Sequence, residues 1–213
     1  MDNPLWPLYG LRLRTPALEL RLPTEDELVE LCRVARAGIH DPATMPFQEA
    51  WTDQPSPQFE RSFLQHHWAN RAQWTSQRWR LGLAAFQAGQ PVGFQDVAAE
   101  NFPVLREVHT GSWLGSPFQG RGLGRQMRAA VLALAFEGLA AELARSAVLA
   151  GNDASLAVSR ALGYQENGRR RVVPRGEPVE RTELLLTRQR WQEHRSCPVT
   201  VEGLESCRDM FGA

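Results

Sequence analysis

The stretch that decides the fold runs from residue 111 to residue 125 and reads GSWLGSPFQGRGLGR. It begins in a strand candidate at 107–115 and leads into a strongly periodic helix candidate at 122–139. A glycine-rich turn between a strand and a helix exposes backbone N–H groups at the helix N-terminus, where the helix dipole favours anions. We therefore expect a phosphate-binding turn, to which Arg121 and Arg125 add charge-assisted hydrogen bonds.

Two other phosphate motifs do not fit this stretch. The dinucleotide fingerprint G-x-G-x-x-G fails, because its third glycine would fall on Arg125 or on Met127. A P-loop needs the G-K pair of G-x-x-x-x-G-K-[ST], which occurs nowhere in the chain. From the residues alone, a tight connection without a ligand remains the alternative.

The pattern outside this stretch predicts one mixed sheet with helices. The expected elements are strands at 18–22, 79–87, 91–98, 107–115, 144–150, 164–173 and 179–187, and helices at 24–37, 58–76, 122–139 and 153–162. This order predicts an α+β fold, an α/β arrangement of three layers. We expect one domain over residues 1–195, followed by a C-terminal extension, 196–213, whose role the pattern does not reveal.

Composition limits the function classes. The 213 residues are 43% hydrophobic, with 24 basic and 24 acidic side chains. This balance argues against a protein that coats nucleic acid or an anionic membrane. The three cysteines, Cys32, Cys197 and Cys207, are not spaced as metal ligands. No apolar run approaches the roughly 20 residues of a membrane span, and the N-terminus lacks a basic start. We expect a cytoplasmic protein without a metal site.

Two segments carry a resemblance to a known family. Residues 119–124, QGRGLG, resemble the pyrophosphate loop of the GNAT superfamily, Q/R-x-x-G-x-G/A. Residues 152–164, NDASLAVSRALGY, resemble N-x-x-S-x-x-V-x-x-x-x-G-F of its RimJ/RimL-type branch, with Tyr164 in place of Phe. Residues 13–21 resemble that branch's opening strand, and 184–191 its closing strand. The likeness extends to actinobacterial RimL-like members, some of which use succinyl-CoA.

The resemblance implies a twisted mixed sheet that splays open between its fourth and fifth strands, where coenzyme A enters. It implies three sets of coenzyme-contacting residues: the main chain of Trp113, Leu114 and Gly115 along the pantetheine; Gln119, Gly120, Arg121, Gly122, Leu123, Gly124 and Arg125 at the pyrophosphate; and Asn152, Ser155 and Ser159 on the other side.

The implied activity is transfer of an acyl group from acetyl-CoA or succinyl-CoA, as cosubstrate, to a primary amine of a protein N-terminus or small molecule. His109 falls where the branch places a catalytic-type Glu, and its ordinary pKa suits a base at neutral pH. Glu107 shares a strand face with His109 and is the alternative base. Ser155 is the candidate hydroxyl beside the departing sulfur, because the usual phenol position is Ser159. A backbone N–H near Leu114 is the expected oxyanion donor.

The acceptor is expected to lie over the first two helices and their connecting loop. The aromatic residues that could line that wall are Phe47, Trp51, Trp68 and Trp74. A non-catalytic acyl-CoA-binding module remains the rival to an enzyme, since the His109 position departs from the family pattern. A homo-oligomer is open as well.

Overall fold

A computed structural model describes residues 3–195 and 197–213. Its centre is a single sheet with the order β7-β8-β6-β5-β4-β3-β2-β1-β9. The strands are β1 Arg12–Arg14, β2 Glu19–Arg21, β3 Arg78–Gln87, β4 Gln90–Glu100, β5 Glu107–Leu114, β6 Leu143–Leu149, β7 Gln165–Val172, β8 Val179–Thr187 and β9 Thr200–Glu202. Within the described residues, β5 and β6 pair in parallel, while the other neighbours are antiparallel. The predicted mixed sheet is confirmed.

The helices are α1 Glu25–Arg36, α2 Gln58–Ala72, α3 Phe102–Leu105, α4 Leu123–Ala133, α5 Asp153–Ala161 and α6 Arg188–His194. α1 begins as the sequence predicts, with a capping box in which Thr24 and Glu27 satisfy each other's backbone N–H groups. α4 continues into a π-helical turn, Leu134–Gly138. No helix in the described ranges is long and apolar enough to cross a membrane.

The two faces of the sheet bury separate clusters of apolar side chains. Helix α4 packs on one face, where its Met127 and Val131 meet Val97 and Val108 of the sheet. Helices α1 and α2 cover the other face around Phe94. Because strand residues alternate between faces, neighbouring positions on β5 point to different clusters. This alternation divides the candidate site into an α4 side and an α2 side.

Two predicted strands are wrong at their ends. Residues 13–21 form a hairpin of β1 and β2 rather than one strand, since Thr15 N–H donates to the carbonyl of Leu18 at 2.9 Å and Pro16 lies in the turn. Residues 184–191 do not continue as a strand. The hydroxyl of Thr187 accepts the N–H of Arg190 and starts α6.

The second helix also ends earlier than predicted, at Ala72 rather than at residue 76. Trp74 leaves the helix and stacks on Trp79, with ring centroids 5.9 Å apart. The C-terminal segment 197–213 reaches the same aromatic group. Its strand β9 pairs with β1, and the buried Phe211 accepts a 3.1 Å hydrogen bond from Trp79 Nε1. This segment therefore extends the sheet and completes its core.

Candidate active site

The site is built around the place where β5 and β6 separate. Their parallel pairing covers only residues 107–109 with residues 143–145. β5 then continues to Leu114 and β6 to Leu149 without pairing to each other, so a gap opens between them. The predicted splay thus lies at this pair. These two strands were predicted as the fourth and fifth. They are numbered β5 and β6 because the predicted opening strand is a hairpin of two strands, β1 and β2.

Backbone donors of β5 face this gap. The N–H of Gly115 donates to the carbonyl of Val92 next to β4. Backbone groups alternate between the two edges of a strand. The N–H groups of Ser112 and Leu114 are therefore directed away from β4, toward the gap, whereas that of Gly115 is already engaged. An extended ligand, or an oxyanion, can bind to these two donors.

The glycine-rich turn has the conformation that an anion site needs. Gly120 and Gly122 adopt φ values of +71° and +76°, and the space that a Cβ would occupy at either is open. Gly122 is the N-cap of α4 and offers no side chain, so the first N–H groups of α4 remain for a ligand. Arg121 and Arg125 are exposed beside them.

Gln119 fastens this turn instead of extending from it. Its Nε2 donates to the carbonyls of Ile39 and Leu114, each at 2.8 Å. Gly115 allows the chain before the turn to pack closely against α1, since a Cβ there would lie 2.7 Å from Cγ1 of Val34. The turn is thereby tied to α1 and to the loop after it.

Two candidate bases lie on the α2 side of β5. Oε1 of Glu107 is 2.7 Å from Nε of Arg145 and 3.6 Å from Nε2 of His109. The side chain of Glu107 is 18% exposed and that of His109 is 60% exposed. Partial burial is the largest influence lowering the pKa of His109. Arg145 and Arg80 lower it further, while Glu107 opposes them. The imidazole is therefore neutral at neutral pH and can accept a proton.

His109 opens into a cleft of about 370 Å³. The cleft is also lined by Asn70, Gln73, Arg78, Arg80 and Glu100. The nearby ion pair of Arg80 with the buried Asp96 was not identified from sequence, although a charged residue within the apolar run of β4 is a signal for it. Gly111 leaves room for this carboxylate, because a Cβ there would lie 2.8 Å from Oδ1 of Asp96.

The predicted aromatic wall is only partly present. Trp51 contacts Phe47, Phe59 and Trp113, with ring centroids 5.4 to 6.2 Å apart. Trp68 is half exposed and donates to Glu25, and Trp74 lies in the other cluster.

The α1–α2 loop is held across the gap, where Arg175 of the β7–β8 turn binds both carboxylate oxygens of Asp53.

The α4 side of the gap holds the remaining predicted residues. Oδ1 of Asn152 caps α5 by accepting the N–H of Ser155 at 3.1 Å. The hydroxyl of the fully buried Ser159 donates to the Ser155 carbonyl at 3.0 Å and accepts from Arg128 at 2.6 Å. Arg128 was missed by the sequence analysis, although an arginine on the apolar side of α4 could have indicated it. Tyr164 is buried, as a packing residue is.

Known proteins share this architecture. Mycobacterium smegmatis RimJ in complex with a CoA-disulfide superposes with a TM-score of 0.71 at 19% identity, over 90% of this chain and 97% of that chain. RimL, a ribosomal α-N-protein acetyltransferase in complex with coenzyme A, gives 0.64 at 15% identity, over 81% and 95%. A chimeric spermidine N-acetyltransferase, in part from Vibrio cholerae, gives 0.64 at 13% identity, over 83% and 99%. Because these sequence identities are low, the structural likeness shows a shared fold and no more.

Family membership comes from the sequence match. Residues 17–165 match the acetyltransferase (GNAT) domain family, and this match spans most of the chain. The protein therefore belongs to the GNAT acetyltransferase family, as predicted. Members of this family use acetyl-CoA as cosubstrate.

Proposed function

We propose that this chain transfers an acyl group from a coenzyme A thioester to a primary amine. One observation carries the proposal. The exposed imidazole of His109 lies at the last paired residue of β5, where the gap opens, and the N–H groups of Ser112 and Leu114 that are directed into the gap follow it along the strand. A proton acceptor, oxyanion donors and an anion-binding turn thus follow one another along β5 and into the start of α4.

The groove suits an extended thioester. The N–H groups at the start of α4, with Arg121 and Arg125, bind the pyrophosphate. Ser112 and Leu114 bind the pantetheine arm as an added strand would, and the α5 start at Asn152 and Ser155 flanks it. The thioester then lies at the point where β5 and β6 separate.

The reaction follows from these positions. His109 Nε2 takes the proton of the incoming ammonium, directly or through water, and the neutral nitrogen forms a bond to the thioester carbon. A β5 N–H stabilises the oxyanion. The carbon–sulfur bond then breaks and its electron pair leaves with sulfur. The nitrogen loses its second proton to solvent and the thiolate takes one from solvent, which gives the amide and coenzyme A.

Glu107 serves this reaction as a positioning residue. Its carboxylate is paired with Arg145, so it is less available as a proton acceptor than His109. Its charge raises the pKa of His109 against the lowering by burial and by the two arginines. His109 is therefore the base in this proposal.

The donor and the acceptor class are separate parts of the proposal. Family membership favours acetyl-CoA, and the resemblance to RimL-like members keeps succinyl-CoA as the second donor. The open cleft beside His109 admits a small amine or an extended protein N-terminus. RimJ, RimL and a spermidine N-acetyltransferase share the fold, so both acceptor types occur on this architecture.

Calorimetric titration with coenzyme A, acetyl-CoA and succinyl-CoA tests the proposal. We expect binding of all three, with the donor binding at least as tightly as coenzyme A. Turnover is then measured by thiol release with a panel of polyamines, amino sugars and N-terminal peptides. If none of the three binds, the proposal fails. Binding without turnover of any amine would identify a non-catalytic acyl-CoA-binding module instead.

A further inference from the structure

Arg128 is a buried cation in an almost neutral environment. It lies on α4 and is 4% exposed. Its guanidinium donates to two serine hydroxyls, Ser159 at 2.6 Å and Ser112 at 3.4 Å. Its Nε has no acceptor among residues 3–195 and 197–213. Asp96 acts on it only through space and is itself paired with Arg80.

Such burial is costly for a structural residue. A buried charge that is not matched by an opposite charge loses several kcal/mol of hydration, on the order of the stability of a small domain. Apolar residues of similar volume often replace buried charged groups without loss of stability. An unpartnered N–H on a buried arginine therefore points to an anion that is present only at some stage of the protein's activity.

The position of Arg128 indicates which anion this is. Ser112 lies on β5 beyond the last residue paired to β6, so the guanidinium lies at the gap. It approaches from the α4 side, whereas His109 faces the cleft on the α2 side. In the proposed function the pantetheine arm lies along β5 at Ser112, so its sulfur comes close to the guanidinium that donates to the Ser112 hydroxyl.

We propose that Arg128 is the counter-cation of the departing coenzyme A thiolate. This inference rests on the proposed acyl transfer and extends it. When the carbon–sulfur bond breaks, the electron pair stays on sulfur, and the fixed guanidinium stabilises that charge inside a low-dielectric gap. The hydroxyls of Ser159 and Ser112 hold the guanidinium of Arg128 in place by accepting its hydrogen bonds. The thiolate later takes its proton from solvent, since arginine keeps its own.

The test measures the thiol pKa of bound coenzyme A from the ultraviolet absorbance of the thiolate. A positive charge in contact moves such a pKa by about 1 to 3 units. We expect Arg128→Met and Arg128→Gln to raise the bound thiol pKa, which reduces the thiolate fraction at neutral pH about tenfold or more. Arg128→Lys, which keeps the charge, should stay close to the unaltered protein. Arg160→Met, at an exposed arginine on α5, is the matched control.

Binding of desulfo-coenzyme A, which lacks the thiol, separates this role from a structural one. We expect equal affinity in all variants, and urea unfolding should find Arg128→Met at least as stable as the unaltered protein. If both neutral variants bind desulfo-coenzyme A normally and leave the thiol pKa unchanged, the inference is overturned. A selective loss of succinyl-CoA affinity with an unchanged thiol pKa would also overturn it, because the cation would then bind an acyl carboxylate. If the unaltered protein does not bind coenzyme A at all, the proposed function itself fails.

Discussion

Nε of Arg145 lies 2.7 Å from Oε1 of Glu107, across the last pairs that β5 and β6 form. This ion pair joins the two strands immediately before they separate. It also commits the Glu107 carboxylate, while His109, two residues further along β5, keeps 60% of its side chain exposed. The two candidate bases that the sequence could not rank are thereby given different surroundings.

Removal of the imidazole tests which of them is the base. His109→Ala should lower kcat about 100-fold or more, the usual effect of losing a general base, and leave acyl-CoA affinity unchanged. Glu107→Gln keeps the size of the side chain and should lower kcat less than His109→Ala does. Steady-state rates and calorimetry measure both. A Glu107→Gln enzyme that is inactive beside an active His109→Ala enzyme would contradict the assignment.

The pH dependence of kcat/KM provides a second test. Partial burial, Arg145 and Arg80 lower the pKa of His109 from its ordinary value of 6.5. The active neutral form therefore predominates at neutral pH and is lost as the pH falls through this lowered pKa. Glu107→Gln removes a charge that raises the pKa, so its acidic limb should move to lower pH still. An acidic limb above 6.5 would be inconsistent with His109 as the base.

The phosphate turn is tested by Gly122→Glu. Gly122 has φ +76° and open space around it, so the added carboxylate has room but lies at the N-cap of α4. Repulsion of the pyrophosphate should weaken coenzyme A binding about tenfold or more. Gly89→Glu, at φ +79° and in open space between β3 and β4, introduces a comparable backbone strain away from the turn. Equal losses in both variants would mean that strain, not charge, is responsible.

A buried histidine should make stability depend on pH. His67 is 6% exposed between Phe63 and Phe94, and burial, His66 and Arg71 lower its pKa from 6.5 to about 3. Below pH 6.5 His67 takes up a proton in the unfolded chain but stays unprotonated in the folded chain. Stability is then lost as the pH falls, by at most about 1.4 kcal/mol per pH unit.

His67→Phe should flatten this part of the stability curve, because the aromatic surroundings accept a phenyl ring and no proton uptake remains. Urea unfolding at several pH values between 4 and 7 measures the slope. The same slope in both proteins would show that other groups set the acid sensitivity.

The C-terminal segment should contribute strongly to folding. Phe211 is fully buried, with its ring 4.9 Å from that of Trp79 and 5.3 Å from that of Trp74. Phe211→Ala should lower the free energy of unfolding by about 3 to 5 kcal/mol. Val173→Ala, at a 63% exposed position, should change it by about 0.5 kcal/mol or less. A loss in Phe211→Ala no larger than in the control would show that the segment is dispensable.

Local patterns allowed much of this fold to be predicted. Thr24 and Glu27 correctly indicated the start of α1, and the strand patterns predicted the ends of β3, β4 and β5 to within about two residues. The end of α2 was predicted wrongly because a side chain outside the helix decides where it stops. Trp74 leaves the helical path to pack on Trp79, and Phe211 comes from the distant C-terminus to the same place. No local pattern contains that information.

The sequence by itself determined the glycine-rich turn, the following helix and the family, because backbone freedom and helix periodicity are local properties of the chain. Only the tertiary structure decided which side chains meet. It pairs Glu107 with Arg145 from the next strand, leaves His109 exposed, and brings Arg128 to Ser112 and Ser159. Burial and partner distances decide which of these groups is available to a ligand, and both arise only when separate elements pack together.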